Sequence, residues 1–327
     1  MNNEQKLKLA ASLYGTKSFH DATSYAKKHF KDAGGIILAR NLEHVSSEIF
    51  TQEFAGLTFL QSGITVNNEG GHSSSIRKIK LATEGGFRES GSNTNTTGKI
   101  TISGEDDTIP VFTMEGESDW SEVELKQAEL ENINLPSRYF EGHAELYNRK
   151  IDDLGFLGQV RTDGTQKTTG LLNYAGFTSG AAAGTAQALT GAQLYDEIAT
   201  LLTEQWAGVL NVDTYKADRV VMPDDVYNVC ASKILNSAGS EMSVLKALQS
   251  NFPTVTFGVT TKANSVGGNS ITIAFSSNRR AMQFRLPVPL NVSSVDQRGF
   301  KYYVESYFGV AGLDVIEDGS GQILTGL

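Results

Sequence analysis

Residues 152–174 read DDLGFLGQVRTDGTQKTTGLLNY. Two glycines, Gly155 and Gly158, frame a short apolar step. A polar, turn-rich loop follows, and the stretch closes on Gly170-Leu171-Leu172-Asn173. It stands directly after the longest helical pattern in the chain. Taken alone, it suits two roles: a loop that cradles a ligand, or the point where one domain hands over to another. The flanking sequence has to decide.

Upstream, residues 117–157 form the main helical pattern. Ser118 or Asp119 is expected to N-cap a first helix with acids in its first turn. Pro136 is expected to break that helix after Leu135. A second helix then runs from about Ser137, with Tyr139, Phe140, Ala144, Tyr147, Ile151 and Leu154 on one side. Such an aromatic stripe reads as a packed core face rather than a cofactor pocket. Earlier still, FAGLTFLQSGITV, SIRKIKLAT, GKITIS and IPVFTMEG within 54–115 look like strands. Ile76, Lys78 and Lys80 fall on one face; Arg77, Ile79 and Leu81 fall on the other. The turn-rich pieces NNEGGHSSS (67–75) and ESGSNTNTTG (89–98) lie between them. This is a long two-stranded excursion, and an isolated hairpin is marginal in water. It has to lean on something, and another chain is the expected support.

Downstream, 175–190 (AGFTSGAAAGTAQALT) is a linker by composition. An amphipathic helix (ALTGAQLYDEIATLLTEQWAGVL), a strand (ADRVVMPDDVYNVC), a helix (SEMSVLKALQSNF) and strands TVTFGVTT and SITIAFSS follow. Asp224-Asp225 after Pro223 marks a helix start. Alternating elements over this length make a compact α/β or α+β domain. MQFRLPVPL, FKYYVESYFGVAGLDVIE and the tail GQILTGL are expected to return to the first sheet.

Length and composition set the outer limits. A chain of 327 residues makes one large or two medium domains, and 33 glycines against 6 prolines favour hairpins and turns over helical bundles. No run of about 18 apolar residues offers a membrane span, and MNNEQKLKLAASLYG lacks a signal-peptide core. A single cysteine, Cys230, excludes an intrachain disulfide, and its apolar neighbours suggest a buried structural thiol. The net charge of −9 is uneven: residues 1–40 carry seven Lys and Arg against three acids. That basic arm suits nucleic acid, an acidic scaffold, a sister subunit or simply solvent.

Catalytic constellations are missing. His20, His29, His44, His72 and His143 form no metal-ligand spacing. Asp106-Asp107, Asp152-Asp153 and Asp224-Asp225 read as turn and helix-end acids. GQVRTDGT lacks the glycines and Gly-Lys pair of a phosphate loop, and no Gly-x-Ser-x-Gly elbow occurs. No cofactor or metal is expected.

The order of parts is basic arm, unsupported hairpin, helix pair, glycine-framed turn, compact α/β unit and returning strands. It resembles the Hong Kong 97 fold of tailed-phage major capsid proteins. The likeness is sharpest at 118–174, where a helix pair ends in Asp-x-x-Gly-Phe-x-Gly and a loop leads to Gly-Leu-Leu-Asn. Here the matches are Asp152 or Asp153, Gly155, Phe156, Gly158, Gly170, Leu171, Leu172 and Asn173. The resemblance implies an α+β capsid subunit divided into an arm (1–50), an extended loop (51–115), a peripheral domain with a spine helix (116–185), an axial domain (186–285) and return strands (286–327). The opening stretch is then a domain handover: Gly158 ends the spine helix in a left-handed cap, and Leu171 and Leu172 anchor the returning chain.

The resemblance also implies self-assembly into hexamers and pentamers of an icosahedral shell around double-stranded DNA, put together in the host cytoplasm. A scaffolding protein, a portal and decoration proteins are further partners, and no membrane is. Inter-subunit contacts are expected between Arg77, Lys78, Lys80 and Arg88 of the loop and Glu115, Glu117, Glu122 and Glu124 of a neighbour's first helix, Asp119 among them. A solvated strand face is the other reading of that basic cluster. Lys78, Lys80 or Lys99 also sits in the loop through which some members crosslink their shells, but no partner asparagine is apparent. The same fold serves nanocompartment shells that load an enzyme, and an α/β enzyme using 190–285 is a further alternative.

Overall fold

A computed structural model describes residues 57–87, 99–131, 133–160, 166–210, 212–236 and 240–327. The expected N-terminal arm and Arg88 lie outside the described residues. Strands β1 (Ser75–Gly85) and β2 (Ile100–Pro110) form an antiparallel hairpin in continuous register from Ser75↔Pro110 to Gly85↔Ile100. It is shorter than 54–115. In the expected strand FAGLTFLQSGITV, the described residues turn at 59–62, stitched by Gln61 N–H to Thr58 C=O and Ser62 N–H to Phe59 C=O. Only Val66–Asn67 there is strand.

β3 (Phe112–Ser121) follows without a break. The expected helix start at Ser118 or Asp119 is therefore corrected: β3 runs on to Ser121 because it pairs along its length with β9 (Lys301–Val310). Ser121 is the actual N-cap of α1 (Glu122–Leu130), in a capping box with Glu124. α2 (Leu135–Phe156) is capped by Asn134, whose side chain accepts from Ser137 N–H. Pro136 sits in its first turn, where the missing N–H costs nothing, so the helix starts before Ser137.

β4 (Thr178–Ala181) corrects the linker reading of 175–190. Next come α3 (Gly191–Gly208), β5 (Arg219–Pro223), α4 (Asp224–Ser232), α5 (Val244–Asn251), β6 (Thr256–Thr260) and β7 (Ile271–Phe275). α4 opens on Asp224 and Asp225, as expected. The expected helix from Ser240 begins only at Val244, since Ser240–Ser243 pairs with Ile234–Asn236 as a strand. The chain ends with β8 (Met282–Arg285), β9, β10 (Gly312–Val315) and β11 (Gly321–Thr325).

Five strands make the central sheet, in the order β6-β5-β7-β11-β4. The tail GQILTGL is thus corrected: β11 fills the slot between β7 and β4, not the first sheet. The side-chain period of two splits this sheet between two cores. Val221, Ile273 and Ile323 face a cluster with Phe59, Leu154, Phe156, Leu171 and Phe284. Val220, Met222, Ala274 and Leu324 face α3, α4 and α5 through Leu194, Ile198, Leu202, Val226 and Leu248. Cys230 lies fully buried in that second core, and burial pushes its thiol up to about 12.

α2 packs on the β3/β9 sheet through Tyr139, His143 and Tyr147, and its last turns enter the first core through Ile151 and Leu154. Trp120 stacks on Tyr139 at 4.7 Å, and Tyr147 meets Phe308 edge-on at 5.0 Å. The expected stripe needs one change: Phe140 and Ala144 are exposed, and His143 is the inward residue. Its two ring nitrogens sit 2.8 Å from Ser118 Oγ and 2.8 Å from Ser306 Oγ, one hydroxyl on each strand.

Candidate assembly surfaces

The described parts of 152–174, residues 152–160 and 166–174, cross each other in a tight knot. Leu157 N–H donates to Asp153 C=O and Gly158 N–H to Leu154 C=O, and Gly158 turns left-handed at φ 67°. A side chain there would also strike Thr168 O at 2.1 Å. The returning chain then runs against the helix end. Leu171 N–H donates to Gly155 C=O at 2.8 Å and Leu172 N–H to Phe156 C=O at 2.9 Å. Gly170 permits that approach: a Cβ on it would lie 2.4 Å from the Phe156 carbonyl and from Gly158 N. Gly155 gives its space to the Phe59 ring, 2.3 Å from where its Cβ would be. Asn173 locks the crossing, donating to Leu157 C=O at 2.6 Å and accepting from Gly170 N–H at 2.7 Å. Asp152 accepts from Thr58 and Phe59 N–H, and Asp153 pairs with Lys262. Every motif residue is thus used in packing or backbone satisfaction, which favours the handover over the ligand loop.

The hairpin is the opposite case. Beyond Lys78, every described residue from Ile79 to Phe87 and from Lys99 to Thr108 is exposed. Register sorts its faces. Arg77, Ile79, Leu81, Ile100 and Ile102 share one face; Lys78, Lys80, Glu105 and Asp107 share the other. The apolar face is uncovered among the described residues: Ile79, Leu81, Ile100 and Ile102 are 63, 73, 54 and 67% exposed. Phe87, two residues past β1, is 94% exposed.

The expected contact residues separate on this frame. Arg77 is exposed and pairs within the hairpin, its Nε 2.6 Å from Asp106 Oδ1. Lys78 turns inward, its ammonium 2.8 Å from buried Asp314 and 3.2 Å from Asp107. Burial disfavours its charge, but Asp314 and Asp107 outweigh that and hold its pKa above the usual lysine value. Lys80 makes no ion pair among the described residues and lies opposite Glu105. Glu115, Glu117 and Asp119 do not belong to a helix, a correction that follows from the length of β3. They share an exposed strand face on which Glu117 stands directly opposite Glu305. Asp119 pairs with Lys301 at 3.0 Å. Glu122 and Glu124 are helical, but Glu122 pairs with Lys126 and Glu124 closes the capping box.

Sequence reasoning missed Asp314 and His143. Asp314 is legible in retrospect as a lone acid inside the apolar run FGVAGLDVIE. His143 carried a weaker signal, one helical step from the aromatic stripe.

Comparison with known proteins agrees with this architecture. Residues 90–324 match the family described as major capsid protein. The solved capsid of Myoviridae phage XM1 is 78% identical, with a TM-score of 0.82 over 90% of this chain and 100% of that one. The capsid of the native GTA particle is 13% identical, with a TM-score of 0.64 over 90% of this chain and 97% of that one. A structure from Mycobacterium phage Ogopogo is 11% identical, with a TM-score of 0.56 over 88% and 98%. At such identities these last two speak for the fold alone. The comparison with curated proteins gives no match. Nothing in these matches supports the nanocompartment or enzyme alternatives. The chain belongs to the major capsid protein family: it is a structural subunit of a tailed-phage capsid with the Hong Kong 97 fold, and not an enzyme.

Proposed function

We propose that the subunit closes its shell by laying the β1/β2 hairpin across a neighbouring copy, apolar face down, within hexamers and pentamers. The observation that carries this is the row Ile79, Leu81, Ile100 and Ile102, which nothing among the described residues covers. Burying each such side chain is worth roughly 1 kcal/mol or more at about 25 cal/mol per Å2. Ion pairs add register rather than strength. Lys80 and Arg88 of one copy against the Glu115, Glu117 and Glu305 face of another would contribute at most about 1 kcal/mol each. Glu122 and Glu124 are second-rank candidates, since both already have partners in their own chain.

In the same reading the shell holds double-stranded DNA without sequence specificity and is assembled in the host cytoplasm. A scaffolding protein, a portal and decoration proteins complete its partners. The division into arm (1–50), loop (51–115), peripheral domain (116–185), axial domain (186–285) and return strands (286–327) belongs to this proposal too.

The test is negative-stain electron microscopy with light scattering on two proteins. One is the full chain. The other has 81–104 replaced by Asn-Gly, which joins the paired Lys80 and Glu105 through a two-residue turn. The full chain is expected to give closed shells or capsomer rings. The shortened chain is expected to stay folded and to close none. Normal particles from the shortened chain would overturn the proposal.

A further inference from the structure

The base of the hairpin holds a buried charge cluster that shell contacts do not explain. Asp314 on β10 is 1% exposed. Its Oδ2 accepts from Arg285 Nε and Nη2, both at 3.0 Å, and from Gln283 Nε2 at 3.4 Å. Gln283 is itself held by Asn67, which donates to it at 2.9 Å. The other oxygen, Oδ1, is left for a single partner, Lys78 Nζ at 2.8 Å, which also donates to Val315 C=O at 3.3 Å. Asp314, Arg285 and Gln283 belong to the body and are fixed by the β8/β10 pairing, and Asn67 is held beside them by its own pairing with β8. Lys78 belongs to the hairpin.

Lys78 is also the last residue on β1 that is partly buried; those after it are exposed. Outward from it the ribbon is a cantilever. Seven residues separate Lys78 from Gly85, a reach of about 23 Å at 3.3 Å per residue. A swing of about 20° at the base would move that end by about 8 Å. A hairpin that must meet a neighbour along one apolar row needs its direction set, and a buried charge whose partners converge from fixed strands sets direction better than it adds stability.

We infer that Asp314 is a latch that fixes the angle at which the hairpin leaves the body, with Lys78 as its positioning residue. The latch is a property of the single subunit; its consequence for assembly rests on the proposed role of the hairpin. Arg77 provides the internal contrast. It is the adjacent residue, carries the same charge and also pairs with an aspartate, but that partner lies within the hairpin itself.

The experiment is pulsed electron–electron distance measurement on full-length subunits carrying spin labels at Thr83→Cys on the ribbon and Thr200→Cys on α3. Labelled subunits are diluted among unlabelled ones so that only intrachain distances are read. Native Cys230 stays unlabelled because it is buried. The parent should show one narrow distance. K78M should broaden or shift it by several Å, K78R should restore most of the narrow peak, and R77M should leave it unchanged. Because Arg285 still pairs Asp314, K78M is expected to keep its circular dichroism and stay folded. A K78M distribution identical to the parent would overturn the latch, as would equal broadening by R77M. Assembly of K78M is scored separately: broadened distances with normal shells would leave the latch standing and count against the hairpin as the closing arm.

Discussion

The knot at 152–174 and the hairpin at 75–110 are both rich in turn residues and polar side chains, yet they are opposite physical objects. In the knot, each motif side chain and glycine has a partner a few ångströms away within the same chain. In the hairpin, backbone pairing is continuous along the described strands, but the side chains beyond the base have no partner outside the ribbon among the described residues. One region explains itself inside a single subunit; the other is the one for which a second copy is proposed. The separation predicts that damage to the knot is read in stability and damage to the hairpin in assembly.

The largest effect belongs to the glycines. Gly170→Ala places a methyl group 2.4 Å from the Phe156 carbonyl, and Gly158→Ala adds a clash with Thr168 O to a left-handed φ. Each should cost about 3 kcal/mol or more, or prevent folding. Thermal denaturation or soluble yield decides it. A melting temperature within a degree of the parent would show that the knot relaxes freely, and the contrast with the hairpin would collapse.

Asp152→Ala comes next. One oxygen accepts from both Thr58 N–H, at 2.9 Å, and Phe59 N–H, at 2.8 Å, in a buried setting. Two donors lose their acceptor, at a cost of about 2–3 kcal/mol. Asn173→Ala should cost less, about 1–2 kcal/mol, because Asn173 is only half-buried whereas Asp152 is buried. Chemical denaturation can rank the pair. The reverse order would mean that the crossing, rather than the Phe59 turn, holds the helix end.

The same contrast explains what the sequence disclosed. Motif glycines, Leu171, Leu172 and the period-two faces of β1 were legible because each reflects a local rule: a left-handed cap, a buried pair, an alternating strand. The end of β3, 117–121, was misread as helix since acids at 117 and 119 run on into Glu122 and Glu124 and fit a first turn locally. What makes 112–121 a strand is pairing with β9, nearly two hundred residues away. The last strand was misplaced for a related reason, as nothing local tells GQILTGL which of two sheets has a vacant slot. Lys78 and Lys80 look alike in sequence and share a face. Only the position of Asp314 separates an inward ion pair from a free surface charge.

The smallest predicted effect tests the hairpin side directly. Arg77→Met removes an ion pair whose side chains are 67 and 44% exposed. Such pairs are screened by solvent and contribute little, and this one joins two strands that hang clear of both hydrophobic cores. The subunit's melting temperature should therefore not move. A clear fall would mean that the ribbon melts together with the body. The hairpin would then be part of the subunit's own cooperative unit, and its exposed apolar face would no longer require a second copy to explain it.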